Sequence, residues 1–294
     1  AGDPGYIRWD DSASAITISG NVYSDEGSTV STVCDSSTQV VRLKIQGAGS
    51  YTSSCNVSTG LYSFPGVAFN PGDTMTVFLD TAGGRRAANV SIDPVSSISN
   101  MHLYENRVIV RHEDVNPISI IHMTQYDSDQ DTDIPFNATD GAPDTLVLQP
   151  GTKLIVFTNK TFTPDGNVTL GGGSVNAWDG TLEVFSGGSF VADDGQSHSI
   201  GGSLLIDSGA TLTSATSTFT MTATTTGKTI TLSGSSLYDL VFNGVAGNWA
   251  FSDTNVSIGN DVTITNGTVT LPTGTATIAG SFVNSGGTFM HNNG

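Results

Sequence analysis

Asp127, Asp129, Asp131 and Asp133 alternate along the chain and are followed by Asn137, Asp140 and Asp144. Carboxylates at every second position can converge on one Ca²⁺ when the backbone loops around it, because a hard cation takes six to eight oxygens. The EF-hand pattern is not met: its glycine position is Thr132 and its closing glutamate position is Ala138. In an extended strand the same aspartates form a repelling ladder that belongs in solvent. Two readings therefore stand, a calcium site built from Asp127, Asp129, Asp131, Asp133 and Asp140, and a plain acidic loop. Calcium is the one cofactor the sequence suggests.

Other combinations promise less. Asp193-Asp194 with His198 is the only suggestive group in the second half, and glycan-cleaving chemistry needs paired carboxylates, often with a cation to stabilise developing charge. The basic residues there are Lys153, Lys160 and Lys228, with no arginine, so a polar turn is expected and the chain is expected not to be an enzyme. A polysaccharide lyase or hydrolase is the remote alternative. His102, His112 and His122 share no strand register and predict no joint metal site. Trp9, Trp178 and Trp249 serve either as packing anchors, the favoured reading, or as a sugar-stacking platform.

Cys34 and Cys55 are the only cysteines. In an acidic chain rich in Ser and Thr they predict one disulfide and an oxidising compartment, closing a loop whose constraint contributes on the order of 3 kcal/mol.

Ten basic against 27 acidic residues give a net charge of −17, which repels phosphate backbones and excludes nucleic acid as a partner. Arg85-Arg86 beside Gly83-Gly84 reads as a solvated hairpin tip. No apolar run reaches the length of a membrane span, so direct insertion is not expected. The chain opens on Ala without a charged-then-apolar leader, as the mature form of a secreted protein would. Asn-x-Ser/Thr triplets at Asn56, Asn89, Asn159, Asn167 and Asn255 leave glycosylation open.

The elements behind these residues are strands. Only 13% of residues are charged and 35 are glycine, a composition that suits short strands and tight turns. A motif of two alternating apolar residues, a small residue, glycine and a further apolar residue recurs. It appears at Leu146, Leu148, Pro150, Gly151 and Leu154, at Leu182, Val184, Ser186, Gly187 and Phe190, and at Leu204, Ile206, Ser208, Gly209 and Leu212. Looser copies run through Val262, Ile264, Asn266, Gly267 and Val269, then Phe282, Asn284, Gly286 and Phe289. The turn glycines give 209 − 187 = 22 and 286 − 267 = 19, a period of about 20 residues that marks stacked coils. The fold class predicted is all-β, with a small N-terminal β-sandwich followed by a parallel β-solenoid (β-helix).

Four segments follow. Residues 1–15 form an arm whose Tyr6, Ile7 and Trp9 dock either on their own domain or on the next subunit. Residues 16–95 carry short alternating strands separated by turns such as Pro65-Gly66 and Pro71-Gly72-Asp73. Residues 96–145 are an irregular connector or first rung, and residues 146–294 are the solenoid. The order ITISGNVYSDEG, VVRLKI, TGLYSFPGV, PGDTMTVFLD resembles the immunoglobulin-like, carboxypeptidase-regulatory-like modules of bacterial surface proteins. SSLYDLVFNG, NVSIGNDVTITNGTVTL and TIAGSFVNSGGTFMHNNG resemble the solenoids of bacterial adhesins and surface-layer-like extracellular proteins. These resemblances imply architecture and an extracellular, prokaryotic setting; they assign no chemistry.

The function expected is a non-enzymatic structural subunit of a secreted fibre, tube or surface layer, with itself as partner. GGTFMHNNG stops in the rung rhythm without a charged or helical cap, so Phe282 and Phe289 are the expected contact residues at one end, facing Tyr6, Ile7 and Trp9 at the other. The alternative is an adhesin or carbohydrate-binding surface protein with cell-surface glycans as partners, the chain then being a fragment of a longer stalk whose cap is encoded downstream.

Overall fold

The computed structural model describes residues 14–81, 84–172 and 176–292. The arm residues Tyr6, Ile7 and Trp9 lie outside the described residues. The chain is all-β with about 1% helix.

The first six strands are β1 (Ser14–Tyr23), β2 (Val41–Ile45), β3 (Ser50–Ser53), β4 (Leu61–Phe69), β5 (Thr74–Leu79) and β6 (Ala88–Ile92). Antiparallel pairing builds β3-β2-β5-β6, while β1 pairs with β4 across a bulge between Ile16 and Ile18. β7 (Leu103–Tyr104) joins β1 in parallel. Period-two alternation turns Ile16, Ile18, Tyr62, Phe64 and Val67 toward Val41, Leu43, Met75 and Val77, and the two sheets share one core. The Cys34–Cys55 disulfide forms, across a separation of 21 residues, and both cysteines lie in that core.

No linker separates this unit from the solenoid. β6 is antiparallel to β5 on one side and parallel to β8 (Arg107–His112) on the other, and β8 pairs in parallel with a later strand, β11 (Lys153–Val156). The parallel ladder thus runs through residues 88–290, starting ahead of the stretch where the repeat becomes visible in the sequence. Between β8 and the regular rungs lie one short helix, α1 (Ile120–Met123), and β9 (Phe136–Thr139). Strand β9 caps the first face in antiparallel sense, against β10 (Asp144–Leu148).

Each regular rung visits three faces. The first three rungs after β10 and β11 are completed by β12 (Thr161–Phe162), then β13 (Gly166–Leu170), β14 (Leu182–Val184) and β15 (Ser189–Val191), then β16 (Ser197–Ile200), β17 (Leu204–Ile206) and β18 (Thr211–Thr213). Next come β19 (Thr218–Met221), β20 (Lys228–Thr231) and β21 (Ser236–Leu237). The later rungs merge two faces into one long strand: β22 (Asp239–Phe251) with β23 (Val256–Ile258), and β24 (Val262–Thr270) with β25 (Ala276–Ile278). The last described rung holds β26 (Phe282–Asn284) and β27 (Thr288–Met290).

In-register parallel pairing stacks side chains into columns. On the first face His198, Phe219, Leu240, Val262 and Phe282 lie one above the other. On the third face Phe162, Phe190 and Leu212 do the same. One continuous core results, from Phe78 and Ala88 to Val269. Each large side chain sealed in it contributes about 1.5–3 kcal/mol, but only because neighbours above and below complete the enclosure.

The recurring motif marks two different corners. The copies at Gly151, Gly267 and Gly286 turn from the first face to the second; those at Gly187 and Gly209 turn from the second face to the third. The signature repeats because any corner between two half-buried strands needs the same chemistry. Gly187 and Gly209 adopt φ of +75° and +80°, a region that a side chain with Cβ enters at a cost.

Candidate functional site

The strongest candidate site is the outer edge of the last described rung. Its residues continue columns that are sealed everywhere else, yet Phe282 is 43% and Phe289 38% exposed. Val283 and Met290 beside them are exposed too. The two rings meet edge to face, 5.1 Å apart between centroids, a geometry aromatic pairs favour. Beneath them, among Ile264, Val269, Ile278 and the two rings, lies a hollow of about 20 Å³ without polar lining. It has the volume of one water but no partners to hold it. Backbone bonds tie this rung downward, as in Ser285 N–H to Ile264 carbonyl and Val262 N–H to Ser281 carbonyl. Among the described residues no rung lies on the other side. The edge can therefore accept a further β-layer through its backbone and bury the aromatic pair beneath it.

The aspartates at 127–140 are not gathered around one point. Asp127 is buried and capped by its own turn: Oδ1 accepts from the Asp129 N–H at 2.9 Å and Oδ2 from the Ala138 N–H at 2.8 Å. Asp131 Oδ1 accepts from the Asp133 N–H at 3.1 Å. Asp133 faces a different neighbour, where burial, a hydrogen bond with Asp80 and the charges of Asp131 and Asp80 push its carboxyl up to about 6. Asp129 and Asp140 are exposed. Among the described residues no group of three or more His, Cys, Asp or Glu is arranged to hold a metal ion. Asp127 and Asp131 cap turn amides of their own loop, a common use of Asp in loops.

The histidines are used separately. Asn21 N–H donates to His102 Nδ1 at 3.1 Å, Thr161 N–H to His112 Nε2 at 2.9 Å, and Ser119 N–H to His122 Nδ1 at 3.0 Å. His198 does not join Asp193 and Asp194. Asp194 Oδ1 caps the Thr216 N–H of the next rung, whereas the His198 ring is sealed between Phe190 and Phe219, with centroids at 5.4 and 4.8 Å. Both its ring nitrogens are buried without a partner among the described residues, and burial pushes its pKa down to about 4.

Trp249 is a core residue: it is fully buried and packs on Phe242 at 5.3 Å. Trp178 differs, being half-buried with the Arg107 guanidinium 4.6 Å from its ring centre. Arg85 is partly exposed and pairs with Glu105 at 3.0 Å, while Arg86 donates to Gln149. Asn89 is fully buried with its Nδ2 donating to the His102 carbonyl, which closes that triplet to glycosylation in the folded chain. Among the described residues no helix is long and apolar enough to cross a membrane.

What the sequence missed is a cluster of charges at the junction. Arg111 is buried against Phe157 and bonded to Glu113 and Asn100, while Lys153 joins Glu26 and Glu183. Glu26 lies 127 residues from Lys153 in the chain, so no local pattern announces the pair.

No protein-family model matches the chain, and no curated protein or solved structure shows significant similarity to it.

Proposed function

We propose that the chain is a non-enzymatic structural subunit of a secreted assembly, a fibre, tube or surface layer, in which the edge carrying Phe282 and Phe289 stacks on a second copy. The exposure of this aromatic pair, in columns that are sealed one rung below, is the observation that carries the reading. A second copy suits the edge because its strands bring the same rung spacing and alternation. A contact between unlike surfaces that does not close into a ring propagates as a filament. The arm with Tyr6, Ile7 and Trp9 is the proposed partner segment, and the two-sheet N-terminal unit is proposed as an immunoglobulin-like spacer. The disulfide and the strongly acidic, sparsely charged composition support an extracellular location.

Sedimentation velocity across a concentration series, in calcium and in chelator, tests this together with negative-stain microscopy. Polymers that disappear in Phe282→Asp are expected. A monomer at every concentration and calcium level rejects the reading, and polymers only with calcium would restore the aspartates as ligands.

A further inference from the structure

The rungs are not equally long. Between stacked residues of the second face the steps are 204 − 182 = 22, 249 − 228 = 21 and 269 − 249 = 20, but 182 − 154 = 28 and 230 − 204 = 26. The surplus falls at one corner, between β13 and β14 and between β19 and β20. The rung between them turns on Gly201-Gly202, pressed against the longer loop. A Cβ on Gly201 would stand 2.3 Å from the Gly172 nitrogen, and one on Gly202 2.1 Å from the Asp179 carbonyl oxygen. Glycine here permits close backbone approach.

Beside this corner, where the N-terminal unit meets the solenoid wall, lies a cleft of about 310 Å³. Glu26, Arg107, Lys153, Trp178, Leu205 and Thr229 line it. Arg107 and Lys153 are only 5% and 4% exposed, although the whole chain has 10 basic residues. Burying such cations is costly unless they are well paired. Here Glu26 Oε1 accepts from Arg107 Nε at 3.0 Å and from Lys153 Nζ at 2.8 Å, and Glu183 pairs with Lys153 on the other side. Burial raises Glu26, but the hydrogen bonds and charges of Lys153 and Arg107 outweigh it and hold the carboxyl below its ordinary range. In Glu183 burial wins over Lys153 and pushes the carboxyl up. Trp178 Nε1 is buried and has no partner among the described residues.

The cleft thus presents fixed donors and acceptors whose desolvation is already met by folding, beside the apolar surfaces of an indole and Leu205. Its two cations are balanced by Glu26 in the lining and by Glu183, which pairs with Lys153, so a charged ligand gains little net attraction. A ligand with an apolar face and several hydroxyls can use both kinds of surface. We propose that this cleft binds a neutral hexopyranose unit of an extracellular glycan. The ring's C–H face lies toward Trp178 and Leu205, and its hydroxyls exchange hydrogen bonds with Glu26, Lys153 and Arg107. The assignment does not depend on self-assembly.

Saturation-transfer NMR on the full chain tests it, with methyl glucopyranoside, methyl galactopyranoside, methyl mannopyranoside and glucuronate as probes. At least one neutral pyranoside is expected to bind saturably and more tightly than glucuronate. Trp178→Ala should weaken that binding about tenfold or more. Thr229→Tyr, which fills the cleft from its rim without touching the ion pairs, should do the same at an unchanged melting temperature. If Trp178→Ala loses its native circular dichroism, Thr229→Tyr alone decides. No binding of any neutral pyranoside at about 10 mM, a regime of roughly 3 kcal/mol, overturns the proposal. Preference for glucuronate, or binding that survives Thr229→Tyr, overturns it equally.

Discussion

Phe219 and Phe282 occupy the same column of the same face, three steps apart through Leu240 and Val262, yet one is fully buried and the other is 43% exposed. Residue type, extended backbone, inward direction and parallel pairing are shared. Only the presence of a rung on the far side differs. Burial in this fold is thus a property of the stack and not of a single coil, and hydrophobic stabilisation accumulates between rungs.

The largest test of the comparison is a pair of truncations. Phe219→Ala leaves a cavity enclosed by Phe190, His198 and the rungs on either side, and should cost about 3–5 kcal/mol. Phe282→Ala in the monomer removes a ring still partly in water and should cost less than about 1 kcal/mol. Denaturant midpoints at low protein concentration measure both; equal losses would break the distinction between interior and edge.

His198 sharpens it by pH. The folded chain binds the imidazole proton less tightly than the unfolded chain does, because no group in the core compensates the charge. Its contribution is complete above about 6.5 and is lost as pH falls through about 4. A shift of that size corresponds to about 3 kcal/mol. His198→Phe should flatten the acid side of the melting-temperature profile, whereas Phe282→His at the edge should titrate near the ordinary imidazole range in the monomer. Identical acid profiles for the parent and His198→Phe would refute the assignment.

A smaller effect separates corner from wall. Gly209→Val places a β-branched residue at φ +80° and should cost about 1–2 kcal/mol, while Thr211→Val, on the exposed side of β18, should cost less. Equal thermal midpoints would contradict this corner geometry.

Much of the solenoid was legible because its physics is local and repeated: alternation sets the faces and glycine marks the corners. The disulfide was legible because only two cysteines exist to pair. The motif could not tell one corner from another, since Gly151 and Gly209 solve the same conformational problem on different edges. The shared strand β6 and the contacts of Glu26 with Arg107 and Lys153 were hidden, because they join segments distant in sequence. The aspartates left two readings open, a cation site and an acidic loop, because alternation alone does not show where the oxygens point; Asp127 and Asp131 accept from the amides of their own loop. His198 beside Asp193-Asp194 looked like a polar turn, while period two carried its ring into the core.

Hydrogen–deuterium exchange across a dilution series addresses most directly whether the exposed edge is completed by another copy. Residues 276–292 should gain protection as concentration rises, while the amides of β16 to β19 stay equally protected throughout. Exchange in residues 276–292 that is fast and independent of concentration would mean that no copy of this chain covers the edge.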